Sequence, residues 1–100
     1  MKIEIKKFGD VLVSRQAGRE AFAAFAPSLQ NTQANEDVIV VFSGVNVLSP
    51  SWADEFLTPL LLRFGDKMIL MPSQNPSIQL TIKNLEKILN KKFNHPKACT

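Results

Sequence analysis

One hundred residues make one domain with a single modest core, since a chain of this size buries roughly two-thirds of the surface its unfolded form exposes. With 45% hydrophobic residues, 21% charged residues, 4 glycines and 6 prolines, it is neither disordered, collagen-like nor coiled-coil. The net charge of +3 comes from basic ends, residues 1–7 at +2 and 83–100 at +4, on a body of −3.

Lys2-Ile3-Glu4-Ile5-Lys6 alternates with the period of a half-buried strand, and Phe8-Gly9-Asp10 supplies a turn signal. Val11-Leu12-Val13 reads as a second short strand, predicting an antiparallel pair with Ile3–Ile5. Ser14 stands at an N-cap position before a helix whose buried face is Gly18, Ala21, Phe22 and Phe25. Pro27 ends that helix near Phe25 or Ala26, because its predecessor is pushed out of helical geometry. Leu29 is expected as an anchor beyond it, before a polar connection over 27–36. Val38-Ile39-Val40-Val41-Phe42 reads as a strand covered on both faces. A loop follows, with buried anchors at Val45 and Leu48.

Ser51 is read as the start of the second helix. Ala53, Phe56, Leu57, Leu60, Leu61 and Phe64 form its apolar stripe, and Pro59 predicts a kink or 3₁₀ break between Glu55 and Leu60. Gly65-Asp66 closes the helix, and Lys67–Met71 is another buried-strand run. Asn75-Pro76 reads as N-cap and first helical position of a third helix running to about Lys91. Ile78, Ile82, Leu85 and Leu89 line one of its faces, and Lys83, Lys87 and Lys91 another. Residues 1–92 are therefore expected to form the domain and 93–100 a tail.

The order β-β-α-β-α-β-α predicts an α/β fold with a four-stranded mixed sheet and helices packed mainly on one face. Val11–Val13, Val38–Phe42 and Met68–Met71 would run parallel, with Ile3–Ile5 antiparallel at one side. Strands apolar on both faces conflict with helices on one face only, and a homodimer covering the open face would resolve the conflict.

Catalytic chemistry has little to work with. His95 and Cys99 stand in the tail at no metal-ligand spacing, and the four glycines are isolated, so no metal or other cofactor is expected. Asp54 and Glu55 diverge by about 100° on a helix and make no paired acid–base site. A non-enzymatic protein is expected. Apolar runs such as Val38–Phe42 fall far short of the ~20 residues that span a bilayer. With one cysteine and no export signal in the first ten residues, a reducing cytoplasm is the expected location.

One stretch carries more information: Val41-Phe42-Ser43-Gly44-Val45-Asn46-Val47-Leu48-Ser49-Pro50-Ser51-Trp52-Ala53-Asp54-Glu55-Phe56-Leu57. It resembles the STAS domain of anti-sigma-factor antagonists, whose pattern there is Asp-Leu-Ser-Gly-Val, two apolar positions, then Asp-Ser-Ser-Gly-Leu. More closely still, it resembles the small bacterial STAS-like family of unknown function, through Ser14-Arg15 and Ala53-Asp54-Glu55-Phe56. That resemblance implies a regulatory module that docks a protein partner, a kinase-like ATPase or anti-sigma-type regulator, through the loop and helix start at 49–56. Against the antagonist pattern, Ser49 replaces the aspartate, Pro50 the first serine and Trp52 the glycine. Only Ser51 matches the phosphorylated serine. The elements read here also stop before the final strand and helix of the full STAS fold.

The expected partner-binding residues are thus Ser49, Ser51, Trp52, Asp54 and Glu55, with Ser51 the candidate phosphoacceptor. Ser51 with Asp54 also reads as a capping-box-like start, which needs no phosphorylation. Trp52 reads equally as an exposed hot spot or as cover for the sheet edge. Arg15 and Arg19 oppose the dipole at a helix start. They would meet an anion, pair with Glu20 or Asp10, or lie solvated. The runner-up function is a nucleic-acid-associated module using Lys83, Lys87, Lys91 and Lys92.

Overall fold

The computed structural model describes residues 1–33 and 35–96; Cys99 lies outside them. The elements are β1 (Lys2–Glu4), β2 (Val11–Leu12), α1 (Arg15–Phe25), β3 (Val38–Val41), β4 (Val47–Leu48), α2 (Pro50–Phe64), β5 (Met68–Leu70) and α3 (Pro76–Leu89). The fold is α/β, with three helices and parallel strands in two small sheets.

The expected four-stranded mixed sheet and its N-terminal hairpin do not form. β1, β3 and β5 make one parallel sheet in that order, with Ile3 opposite Val40 and Val40 opposite Leu70. β2 pairs instead with β4, also parallel, Val11 opposite Val47 and Leu12 opposite Leu48. The cause is local. Ile5–Phe8 winds into a 3₁₀ turn, and Gly9 takes φ 131°, a conformation that L side chains rarely adopt. The chain is carried off β1 rather than folded back along it. The turn also buries Ile5 and brings the Phe8 ring 4.9 Å from that of Phe56.

Helix starts follow their caps. Ser14 Oγ accepts from the Ala17 amide at 2.9 Å, and Asn75 Oδ1 from the Ser77 amide at 2.8 Å. α1 ends at Phe25 and Leu29 is buried beyond it, both as expected, and a 3₁₀ turn over Ala26–Leu29 takes up the start of the expected polar connection. α3 ends at Leu89, because Asn90 adopts the left-handed conformation at φ 53°. Its amide donates to the Glu86 and Lys87 carbonyls.

The expected 3₁₀ break at Pro59 is absent: α2 is continuous from Pro50 to Phe64. Proline costs about 3 kcal/mol in a helix interior. Phe56, Leu57, Leu60 and Leu61 flank it, all buried, and each such side chain contributes about 1.5–3 kcal/mol. Packing on both sides of Pro59 outweighs its penalty. Thr58, just before the proline, donates its hydroxyl to Asp54 Oδ1 at 2.8 Å.

One face of the three-stranded sheet, with Ile3, Val38, Val40, Met68 and Leu70, is buried in the core. On the other face Lys2 and Glu4 are exposed, while Ile39, Val41 and Ile69 are half-buried. The segment after α3 lies along β5. Asn94 bridges Ile69, its carbonyl accepts from the Leu70 amide at 2.8 Å, and Phe93 is buried. Residues 93–95 thus pack on the domain.

Candidate functional site

The corner singled out by the sequence is where α1 and α2 begin side by side. Gly18 makes the approach feasible. A Cβ there would stand 2.7 Å from the Trp52 carbonyl oxygen and 3.0 Å from its Cα, so only glycine lets the two backbones come this close. The neighbouring side chains then close on each other. Arg15 Nη1 donates to Asp54 Oδ2 at 2.9 Å and to Glu55 Oε1 at 3.3 Å, and Arg19 Nη2 reaches Glu55 Oε1 at 3.2 Å. The partners of Arg15 and Arg19 are therefore the acids of α2, not Glu20 or Asp10. Glu20 accepts from Gln16, and the Asp10 carboxylate lies 3.5 Å from the Asn46 side-chain amide.

Two carboxylates supply the charge that a basic first turn lacks, so the unfavourable dipole of α1 is offset across the helix pair. Electrostatics follow the geometry. The Arg15 hydrogen bond, then the Thr58 hydroxyl, holds the Asp54 carboxyl below its ordinary value of 3.8, against the opposing effect of partial burial. Asp54 and Glu55 in turn raise the Arg15 guanidinium.

The α2 cap is Ser49, not Ser51. Ser49 Oγ accepts from the Trp52 amide at 3.2 Å and donates to the Val13 carbonyl at 2.9 Å, so one hydroxyl starts α2 and ties it to the end of β2. Pro50 occupies the first helical position. Ser49-Pro50 is the same cap-then-proline signature as Asn75-Pro76, and that signal was present in the sequence. Ser51 is left half-buried in the first turn, outside the cap.

Trp52 is no surface hot spot. It is 1% exposed and stacks on Phe56 with ring centroids 5.1 Å apart and planes at 15°. Phe8, Phe22 and Phe25 also set their rings on Phe56, at 4.9, 5.8 and 5.7 Å. Both readings of Trp52 understated this: it is a centre of the core. The five expected partner-binding residues do lie together, but Ser49 is a cap, Trp52 a core ring and Asp54 with Glu55 an ion-pair network, leaving Ser51 alone without such a role.

Exposed instead are three valines beside them. Val11 and Val47 face each other across the β2–β4 ladder, and Val13 lies two residues on from Val11. They are 54%, 40% and 52% exposed, while the alternating Leu12 and Leu48 are buried. The outer edge of β4 is closed by α3: Ser77 Oγ accepts from the Leu48 amide at 3.1 Å, and Thr81 Oγ1 donates to the Leu48 carbonyl. The period-two alternation of Val11-Leu12-Val13 carried this signal in the sequence, with Leu12 inward and the two valines outward.

Lysines 83, 87, 91 and 92 line one shallow groove at the far side of α3, about 350 Å³ in volume. It adjoins a cavity of about 410 Å³ over Phe42, Leu70, Ile78 and Ile82. Among the described residues no helix is long and apolar enough to cross a membrane, and no three His, Cys, Asp or Glu side chains form a group that could hold a metal. Comparison with protein-family models, with characterised proteins and with solved structures finds no match to this chain.

Proposed function

We propose that this chain is a STAS-like, non-enzymatic regulatory module that docks a protein partner at the corner formed by β2, β4 and the start of α2. The partner is a kinase-like ATPase or an anti-sigma-type regulator, as the resemblance of the 41–57 stretch implies. The supporting observation is the exposed row of Val11, Val13 and Val47 on one face of the β2–β4 sheet. Contiguous exposed apolar side chains rimmed by polar groups are the usual form of a protein-binding surface. Here the loop at Ser49–Ser51 and the Arg15–Asp54–Glu55–Arg19 network form the rim. Ser51 remains the candidate phosphoacceptor. Its hydroxyl is not the cap, and a phosphate there would add about −1.5 to −2 charges beside the valines.

A photo-crosslinking residue at position 13 tests the docking surface in cells of the native host. The expected result is one discrete crosslinked protein, lost in Ser51→Glu and absent when the probe stands at Leu62, which is 78% exposed away from this corner. Equal capture from position 62, or none from position 13, would overturn the surface.

The proposal extends to a homodimer through the second face of the β1–β3–β5 sheet, where Ile39, Val41 and Ile69 are half-buried beside exposed Lys2 and Glu4. Sedimentation should give a dimer that Ile39→Glu converts to monomer; a monomer at high micromolar concentration would remove this part.

A further inference from the structure

We infer that α3 lays its outer face on an anionic phospholipid surface, held by lysines at the headgroups and by two aliphatic side chains between them. The helix packs on the core through Ile78, Thr81, Ile82 and Leu85, all buried. Its other side carries two rows at four-residue spacing, and such rows are neighbours on a helix surface. One row is Leu80, Asn84 and Ile88; the other is Lys83, Lys87 and Lys91. Leu80 is 61% and Ile88 71% exposed, and all three lysines are exposed beside them.

Charge on this face is predominantly positive. Lys92 extends the lysines beyond the helix, and all four line one shallow groove. Glu86, the single acid of α3, borders the same groove, but it is half-buried and its Oε2 accepts from the Phe93 amide at 2.8 Å. Among the described residues none of the four lysines is ion-paired, whereas Arg15 and Arg19 are. Their charge is therefore available to an outside anion.

The mixing of the two rows selects the occupant. A protein interface gathers its apolar groups in a core from which lysine is depleted. A nucleic-acid strand would use the lysines and leave Leu80 and Ile88 in water. A bilayer surface uses both rows. Aliphatic side chains enter between headgroups, while lysine stems lie along the apolar boundary and their ammonium groups reach lipid phosphates. Leu80 and Ile88, eight residues apart, stand about 12 Å apart along the axis, so the helix would lie in the plane of the surface. At 14 residues it is too short to cross. Two aliphatic side chains and four lysines give a weak, reversible attachment that needs anionic lipid. This inference rests on α3 and does not depend on docking at the valine corner.

Co-sedimentation of the full chain with large vesicles tests the inference, using phosphatidylcholine alone and an equal mixture of phosphatidylcholine and phosphatidylglycerol. Binding should be at least about tenfold stronger on the mixed vesicles and should fall as salt is added. Lys87→Gln with Lys91→Gln should weaken it by about fivefold for each lysine removed. Leu80→Gln with Ile88→Gln should weaken it at least about fivefold. Leu62→Gln, an equally apolar loss on α2 at a position 78% exposed, should leave it unchanged. All these side chains are exposed, so each variant should keep the original unfolding midpoint. If a double variant melts early, its two single variants, measured separately, take its place. The inference is overturned if neither vesicle binds, if phosphatidylcholine alone binds as well as the mixture, or if Leu62→Gln loses as much as Leu80→Gln with Ile88→Gln. It is also overturned if a short DNA duplex binds more tightly than the mixed vesicles and the two aliphatic side chains make no difference to either.

Discussion

The start of α2 and the flank of α3 are both rich in polar residues, yet they differ in what those residues do. At the start of α2 the groups satisfy one another. Ser49 caps the Trp52 amide, Arg15 and Arg19 are spent on Asp54 and Glu55, and Thr58 is bound to Asp54. Along α3 the lysines and His95 line open space. A motif rich in Ser, Trp, Asp and Glu can therefore be a joint, while the lysine row of α3 stays open to solvent. What separates them is whether another element arrives to consume the hydrogen bonds and charges.

The largest test of that contrast is Trp52→Ala. If the α2 corner is structural, removing a ring stacked at 5.1 Å on Phe56 should cost about 3–5 kcal/mol in urea unfolding. Lys87→Gln should leave the unfolding midpoint within about 0.5 kcal/mol of the original. Gly18→Ala comes next. The added methyl group meets the backbone of Trp52, which has no side-chain freedom to yield, at a cost of about 1–3 kcal/mol. That exceeds the gain of up to about 1 kcal/mol from replacing glycine in a helix. A stabilised Gly18→Ala protein would show that α1 and α2 are not packed as closely as described.

The two serines form a sharper pair. Ser49→Ala removes the α2 cap and the link to Val13, and should cost about 1–2 kcal/mol. Ser51→Ala should cost less than about 0.5 kcal/mol. Equal losses, read from the same denaturation series, would return part of the cap to Ser51.

The smallest effect is the pH dependence of the ion-pair network. The Asp54 carboxyl is depressed in the folded state, chiefly by Arg15, so its contribution is present above the unfolded value of 3.8 and is lost as pH falls through the folded one. The stability gap between the original protein and Arg15→Gln should thus persist near pH 5 and shrink below about pH 3.8. A gap that stays constant down to about pH 2 would show that Arg15 acts through packing alone.

The misreadings share a cause. Trp52 stands four residues before Phe56, on the same helical face, so its burial was legible in the spacing; what periodicity could not show is that Phe8, forty-four residues away, closes over both rings. Val11–Val13 has the composition of a strand, but its partner β4 lies in what reads as a loop. Pro59 has an intrinsic cost that says nothing of the four buried neighbours opposing it. Cys99 offers no comparison, since it lies outside the described residues.

By itself the sequence determined the three helices, two of their caps and most of the core. Those depend on the spacing of apolar residues and on side chains reaching amides two or three positions away, such as Ser14 to Ala17 and Asn75 to Ser77. Tertiary structure alone decided the pairing of β1 with β3 and of β2 with β4, the seating of Trp52, and the partners of Arg15 and Arg19. It also set the apolar cavity against the lysine groove. Each of these joins residues far apart in the chain, and which distant groups meet depends on how all the elements pack at once.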